Sequence, residues 1–174
     1  MNGALQTIFI FKITSHGIVK LCIGAAILSS MGSVSAFAAP QNGVVTLGSA
    51  TLSQNGLNTQ ITQSTQKAAI NWQSFSIAPN ESVEFKQPSV SSMTLNKVIG
   101  NEKSIIDGIL KANGQVFLIN KNGVLFGKDS YINVGSLVAS TLDLQDSYFA
   151  KDNFVFKGSG NNAKIINLGK IEAN

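Results

Sequence analysis

The chain carries an imperfect internal repeat in which hydrophobic parity switches across a glycine. Ile132-Asn133-Val134-Gly135-Ser136-Leu137-Val138-Ala139 matches Ile166-Asn167-Leu168-Gly169-Lys170-Ile171-Glu172-Ala173 in the form I-N-[VL]-G-x-[LI]-x-A. A weaker copy, Ile105-Ile106-Asp107-Gly108-Ile109-Leu110-Lys111-Ala112, keeps I-x-x-G-x-L-x-A. Before the glycine of the two good copies, apolar residues alternate (Ile132 with Val134, Ile166 with Leu168); after it, Leu137 with Ala139 and Ile171 with Ala173 are shifted by one. Alternation marks a strand with one buried face, and a one-residue shift at a glycine keeps that face inward where the strand turns a corner. Asn133, Gly135, Asn167 and Gly169 are therefore expected to be structural corner residues, with the flanking aliphatics facing the core. Stacked coils of bent strands make a parallel β-helix, in which each strand pairs with the coils on either side. At roughly 20 residues per coil, about six or seven coils are expected.

Short β-type runs punctuated by Asn and Gly recur elsewhere, and helix signals are nearly absent. Ser82 to Lys86 alternates cleanly, and Val44–Leu47, Ile70 to Trp72, Val116 to Ile119, Val124–Phe126, Phe154 to Phe156 and Ile165 to Leu168 are further strand candidates. Asn-Gly pairs at 42/43, 55/56, 113/114 and 122/123 supply tight turns between them. Residues 49–66 are polar, with Leu52, Leu57 and Ile61 widely spaced; this segment is either a flexible linker or a cap over the first coil. The chain stops at Asn174 directly after a repeat copy, which fits the N-terminal part of a longer protein, with a stand-alone domain as the alternative.

Residues 1–38 read as an export signal, and not as part of the fold. Lys12 and Lys20 precede an apolar run from Leu21 to Leu28, and Ala36-Phe37-Ala38 offers the small residues a signal peptidase requires. The run is shorter than the roughly 20 residues of a spanning helix. Removing this leader from the 174 residues leaves 136, enough for one domain with a core. Cys22 and His16 both lie in the leader and the sequence has no arginine. The remaining domain therefore has no disulfide, thiolate or imidazole chemistry and must be held by packing and backbone pairing. Its 11 lysines against 9 acids do not form the concentrated basic stripe that nucleic acid demands.

Ordered blocks then point to a known family. Ala69-Ile70-Asn71-Trp72-Gln73-Ser74-Phe75-Ser76-Ile77, Val83-Glu84-Phe85-Lys86-Gln87-Pro88, Leu95-Asn96-Lys97-Val98-Ile99-Gly100, Ala112 to Asn120, Asn122-Gly123-Val124-Leu125-Phe126-Gly127 and Ile132 to Thr141 resemble the secretion domain of two-partner secretion exoproteins, which include filamentous haemagglutinins. The resemblance spans residues 44–173. It implies an all-β, right-handed parallel β-helix with an N-terminal cap and extra-helical strands, occupying residues 39–174. It also implies a partner outer-membrane β-barrel transporter whose periplasmic POTRA domains recognise the chain before it folds outside the cell. The parent protein is then an adhesin or haemagglutinin of a Gram-negative surface, with host cell-surface receptors as further partners. Asn120, Asn122 and Gly123 stand where the family has its secretion determinant, and the reading beside that one is that they simply build a turn. Lys121 replaces the family's usual proline, and Lys97 stands where arginine is common, so a contact that needs the proline ring is in doubt.

Asn71, Trp72 and Phe75 are expected in core and cap packing, in preference to a carbohydrate platform. Enzymatic β-helices are the rival class, but a hydrolase needs two carboxylates across a bound sugar. The close acid pairs, Asp143 with Asp146 and Glu81 with Glu84, are expected at solvated edges. No calcium-loop, P-loop or dinucleotide motif occurs, so no catalytic residue, metal or cofactor is expected. A stand-alone adhesive module binding host glycans or proteins is the alternative function.

Overall fold

A computed structural model describes residues 8–11, 39–158 and 162–174. The expected leader lies outside the described residues except for Ile8–Phe11, which form strand β1. After β2 (Val44–Leu47), strand β3 (Ala50–Asn55) turns back at Gly56 onto β4 (Asn58–Gln63), where winding begins. The chain then passes through β5 (Lys67–Trp72), β6 (Ser82–Lys86), β7 (Met93–Val98) and β8 (Ser104–Ile106). It continues through β9 (Ile109–Ala112), β10 (Gln115–Asn120), β11 (Val124–Phe126), β12 (Tyr131–Val134) and β13 (Ser136–Ser140). An excursion off the helix holds β14 (Asp143–Leu144), α1 (Asp146–Phe149) and β15 (Phe156–Lys157). The chain rejoins the stack at β16 (Ile165–Asn167) and β17 (Lys170–Ala173).

Apart from β14 and β15, which pair antiparallel with each other, these strands stack into three sheets that form the sides of a parallel β-helix. The first runs β5-β7-β10-β13 in parallel, with β2 and β1 antiparallel at its two ends. The second runs β4-β6-β9-β12-β17 in parallel, with β3 antiparallel on β4. The third is β8-β11-β16. The polar segment 49–66 is thus the cap, not a linker: Leu52 packs against the core and Ile61 is fully buried, while the alternate residues meet water.

Successive rungs pair Lys67 with Met93, Met93 with Gln115 and Gln115 with Ser136, so coils take 26, 22 and 21 residues. Three full circuits form, beginning at β6, β9 and β12. That is fewer than six or seven, because residues 39–57 precede the first parallel strand and residues 141–158 leave the stack. Inside the helix, Ile70, Val83, Phe85, Leu110, Leu118, Phe126, Ile132 and Leu137 make a continuous core, each fully buried side chain contributing about 1.5–3 kcal/mol. A second core lies outside, where the excursion covers the outer face of the first sheet: Leu144 and Phe149 pack on Ala69, Leu95, Phe117 and Val138.

The two good repeat copies occupy different corners. Gly135 joins the second sheet to the first, between β12 and β13, whereas Gly169 joins the third to the second, between β16 and β17. The positional equivalent of Gly135 is Gly114, whose carbonyl accepts from the Gly135 N–H at 2.8 Å. A Cβ on Gly135 would stand 2.8 Å from that carbonyl oxygen, so the corner admits no side chain. Around Gly135 the predicted parity holds: Ile132, Val134, Leu137 and Ala139 all face the core. Before Gly169 it fails, because Ile166 is 44% and Leu168 58% exposed. Parity there is set by the neighbouring coil, where Val124 and Phe126 point inward; Ile165 and Asn167 align with them, and Ile166 follows the outward Leu125.

Candidate functional site

Asn120, Asn122 and Gly123 form a closed turn between β10 and β11. Asn120 is the last inward residue of β10 and is fully buried. Its carbonyl accepts from the Gly123 N–H at 3.0 Å, closing a four-residue turn. Its Oδ1 accepts from the Asn122 N–H at 2.9 Å, and its Nδ2 donates to Glu102 O and Ser104 Oγ, both at 3.0 Å. Asn122 Nδ2 donates to Gly100 O at 2.9 Å. Gly123 has φ 104°, and its carbonyl accepts from Ser104 N–H. A Cβ there would lie 2.8 Å from Lys164 O, so both conformation and space call for glycine. The two Asn side chains therefore bind this turn to the 100–104 loop of the preceding coil, and Lys121 sits at its exposed tip.

The other corner residues take unlike roles. Trp72 is 2% exposed, donates from Nε1 to Asn96 Oδ1 at 3.0 Å, and meets Phe75 edge-on at 5.5 Å. Its neighbour Asn71 faces the outer side of the first sheet, and its buried Oδ1 has no hydrogen-bond partner among the described residues. Asn133 and Asn167 share a motif but not a job. Asn133 points outward and donates to the Tyr131 hydroxyl at 3.1 Å, whereas Asn167 points inward and accepts from the Gly169 N–H at 3.0 Å.

The acid pairs serve structural ends. Asp143 does sit at a solvated edge, with 56% of its side chain exposed, whereas Asp146 is largely covered; both face Lys97, at 2.9 and 3.5 Å, and Asp146 Oδ2 accepts from Thr46 Oγ1 at 2.5 Å. Asp146 Oδ1 is buried and has no hydrogen bond among the described residues, where the ion pair with Lys97 compensates it. Glu81 Oε2 accepts from Ala78 N–H within a turn, and Glu84 lies 3.8 Å from Lys86 on the outer face. A groove of about 540 Å³ runs along that face past Glu84, Lys86, Lys111, Asn113 and Asn133. It holds one carboxylate, not the facing pair that glycoside hydrolysis requires.

Sequence reading missed the side chains that organise this surface. Gln87 Nε2 donates to Ser92 O, Thr94 Oγ1 and Gln115 O, while its Oε1 accepts from Gly114 N–H, so one buried amide ties two coils at a corner. Asn113 brackets the Gln87 backbone from the next rung, at 2.7 and 2.8 Å. No local pattern announces the bonds to Asn113, Gly114 and Gln115, because those partners lie a coil away in sequence.

The chain is 44% identical over 106 residues, 61% of its length, to a heme/hemopexin-binding protein of Haemophilus influenzae strain Rd. A second heme/hemopexin-binding protein of Haemophilus influenzae is 33% identical over 153 residues, 87% of the chain. The chain spans only 12% and 16% of the lengths of these curated relatives. Among solved structures, the crystal structure of the HMW1 secretion domain from Haemophilus influenzae aligns with a TM-score of 0.71 at 42% identity, over 75% of this chain and 35% of that one. The family model for the TPS secretion domain matches residues 36–173, across all three sheets and the excursion. The chain therefore belongs to the secretion-domain family of two-partner secretion exoproteins.

Proposed function

We propose that this domain is read as an unfolded chain by the POTRA domains of a partner outer-membrane β-barrel transporter, and that Asn120, Asn122 and Gly123 are part of what is read. The observation that carries the reading is the family match over residues 36–173, since exoproteins of this family are secreted across the outer membrane of Gram-negative bacteria. In the folded chain, the amides of Asn120 and Asn122 are occupied by Ser104, Glu102 and Gly100. A transporter that uses them must meet them before the turn closes, when free backbone and amide groups allow strand addition. Each parallel pairing joins residues a full coil apart, and such topology folds slowly, which keeps the chain export-competent. The leader, residues 1–38, delivers it to the periplasm and is then removed. That would free the β13 edge now paired with β1, alongside β16 and β17 at the ends of their sheets. A further coil of a longer adhesin-like exoprotein would stack there.

The test is capture of urea-unfolded chain by the transporter's purified periplasmic domains. Wild type should bind, and an Asn120→Ala/Asn122→Ala variant should bind about tenfold more weakly and be exported less, a loss equivalent to about 1.4 kcal/mol. Because the captured chain is unfolded, a change in native stability does not enter. Equal capture and export of both chains would remove these residues from the recognition site.

A further inference from the structure

In a solenoid each coil touches only its neighbours, so stability is a sum of nearest-neighbour terms and the ends can fray separately. The excursion breaks that rule here. It leaves from the end of β13 in the last full circuit and lies back across β10, β7 and β5 to the N-terminal cap. Phe149 meets Phe117 of β10 edge-on at 5.4 Å. Asp143 and Asp146 hold Lys97 of β7. Lys67 of β5 reaches Asp152 at 2.7 Å and donates to the carbonyls of Phe149 and Ala150 at 3.3 and 3.0 Å. Thr46 of β2 donates to Asp146 across 100 residues of sequence. Four strand spacings at about 4.8 Å each put β2 roughly 19 Å from β13, and one short segment spans them.

We propose that residues 141–157 are a latch that couples the first coil to the last and turns a stack of separable coils into one cooperative unit. Phe149 and Leu144, both fully buried, supply the apolar seal. Lys67 and Lys97, 22% and 18% exposed, fix where it seats. A consequence that rests on the export reading follows: the Thr46 to Asp146 contact closes only when the whole intervening chain is on one side of the membrane. Latch closure would then mark completed passage of the domain.

Native-state hydrogen exchange on the full folded chain in sub-denaturing urea tests the coupling without any transporter, so its failure would leave the export reading standing. Amides of β5 and β13 are expected to open together, with exchange rates within about threefold of each other. In Lys67→Gln/Lys97→Gln they should separate by about tenfold or more, whereas Lys97→Arg, which keeps the ion pairs, should leave them matched. Phe149→Ala provides a second route to the same separation. The proposal is overturned if β5 and β13 already exchange independently in the wild-type chain, or if both latch variants accelerate only the amides of residues 141–157.

Discussion

Truncating Ile132 and Ile166 to alanine separates motif from environment, because the two residues hold the same place in the repeat and opposite places in the fold. Ile132 is fully buried, aligned between Leu110 of the preceding coil and Ile171 of the next. Removing three of its carbons loses transfer free energy and leaves a cavity, and buried Ile→Ala changes cost about 2–5 kcal/mol. Ile171 is itself only half-buried at the end of the stack, so the wall beside it can partly collapse. That places Ile132→Ala near the middle of the range, at about 3 kcal/mol, a factor of roughly 150 in the folding constant. Ile166 is 44% exposed, and surface changes usually fall within about 0.5 kcal/mol. The assay is urea unfolding followed by far-UV circular dichroism and by the fluorescence of Trp72, the chain's one tryptophan. Equal losses for the two variants would mean that sequence repeat and structural repeat coincide, and the corner assignment would fall.

Asn120→Ala should cost about 2–3 kcal/mol in thermal unfolding, because it strands the buried Ser104 hydroxyl and the Asn122 N–H. Gly123→Ala should cost about 1–3 kcal/mol from its positive φ, with the Lys164 carbonyl adding a steric clash. On the outer face of the second sheet, hydrogen bonds from Lys170 and Tyr131 hold the Glu172 carboxyl below its ordinary 4.5, and Glu172 holds Lys170 above its ordinary 10.5. The carboxylate's contribution is therefore present above pH 4.5 and lost as pH falls through the lowered value. The lysine's is present below pH 10.5 and lost as pH rises through the raised one. Carbon-detected NMR titration of Glu172 should show the depression, and Tyr131→Phe should reverse part of it; an unchanged midpoint would remove the tyrosine from the cause.

Local chemistry wrote much of the fold into the sequence. Alternation over Ser82–Lys86 gave a half-buried strand, and the parity switch at Gly135 gave a corner whose inward residues could be named. Asn120, Asn122 and Gly123 carried enough turn chemistry to mark a turn, although neither their bonds to the 100–104 loop nor their burial could be read from them. Val116 to Ile119 is apolar at every position, a sign that the first sheet is covered on both faces. What covers it was not legible, because Phe149 and Leu144 lie in a segment with no strong periodicity. Periodicity reports which face of a segment is buried relative to its own neighbours, and that much the amino acids determined alone. The tertiary structure alone decided the rest: which corner each glycine serves, that Ile166 yields its inward place to Ile165, and that Lys97 meets Asp143 and Asp146. Those outcomes depend on the register between coils and on contacts between residues far apart in the chain, and no local pattern of side chains encodes either.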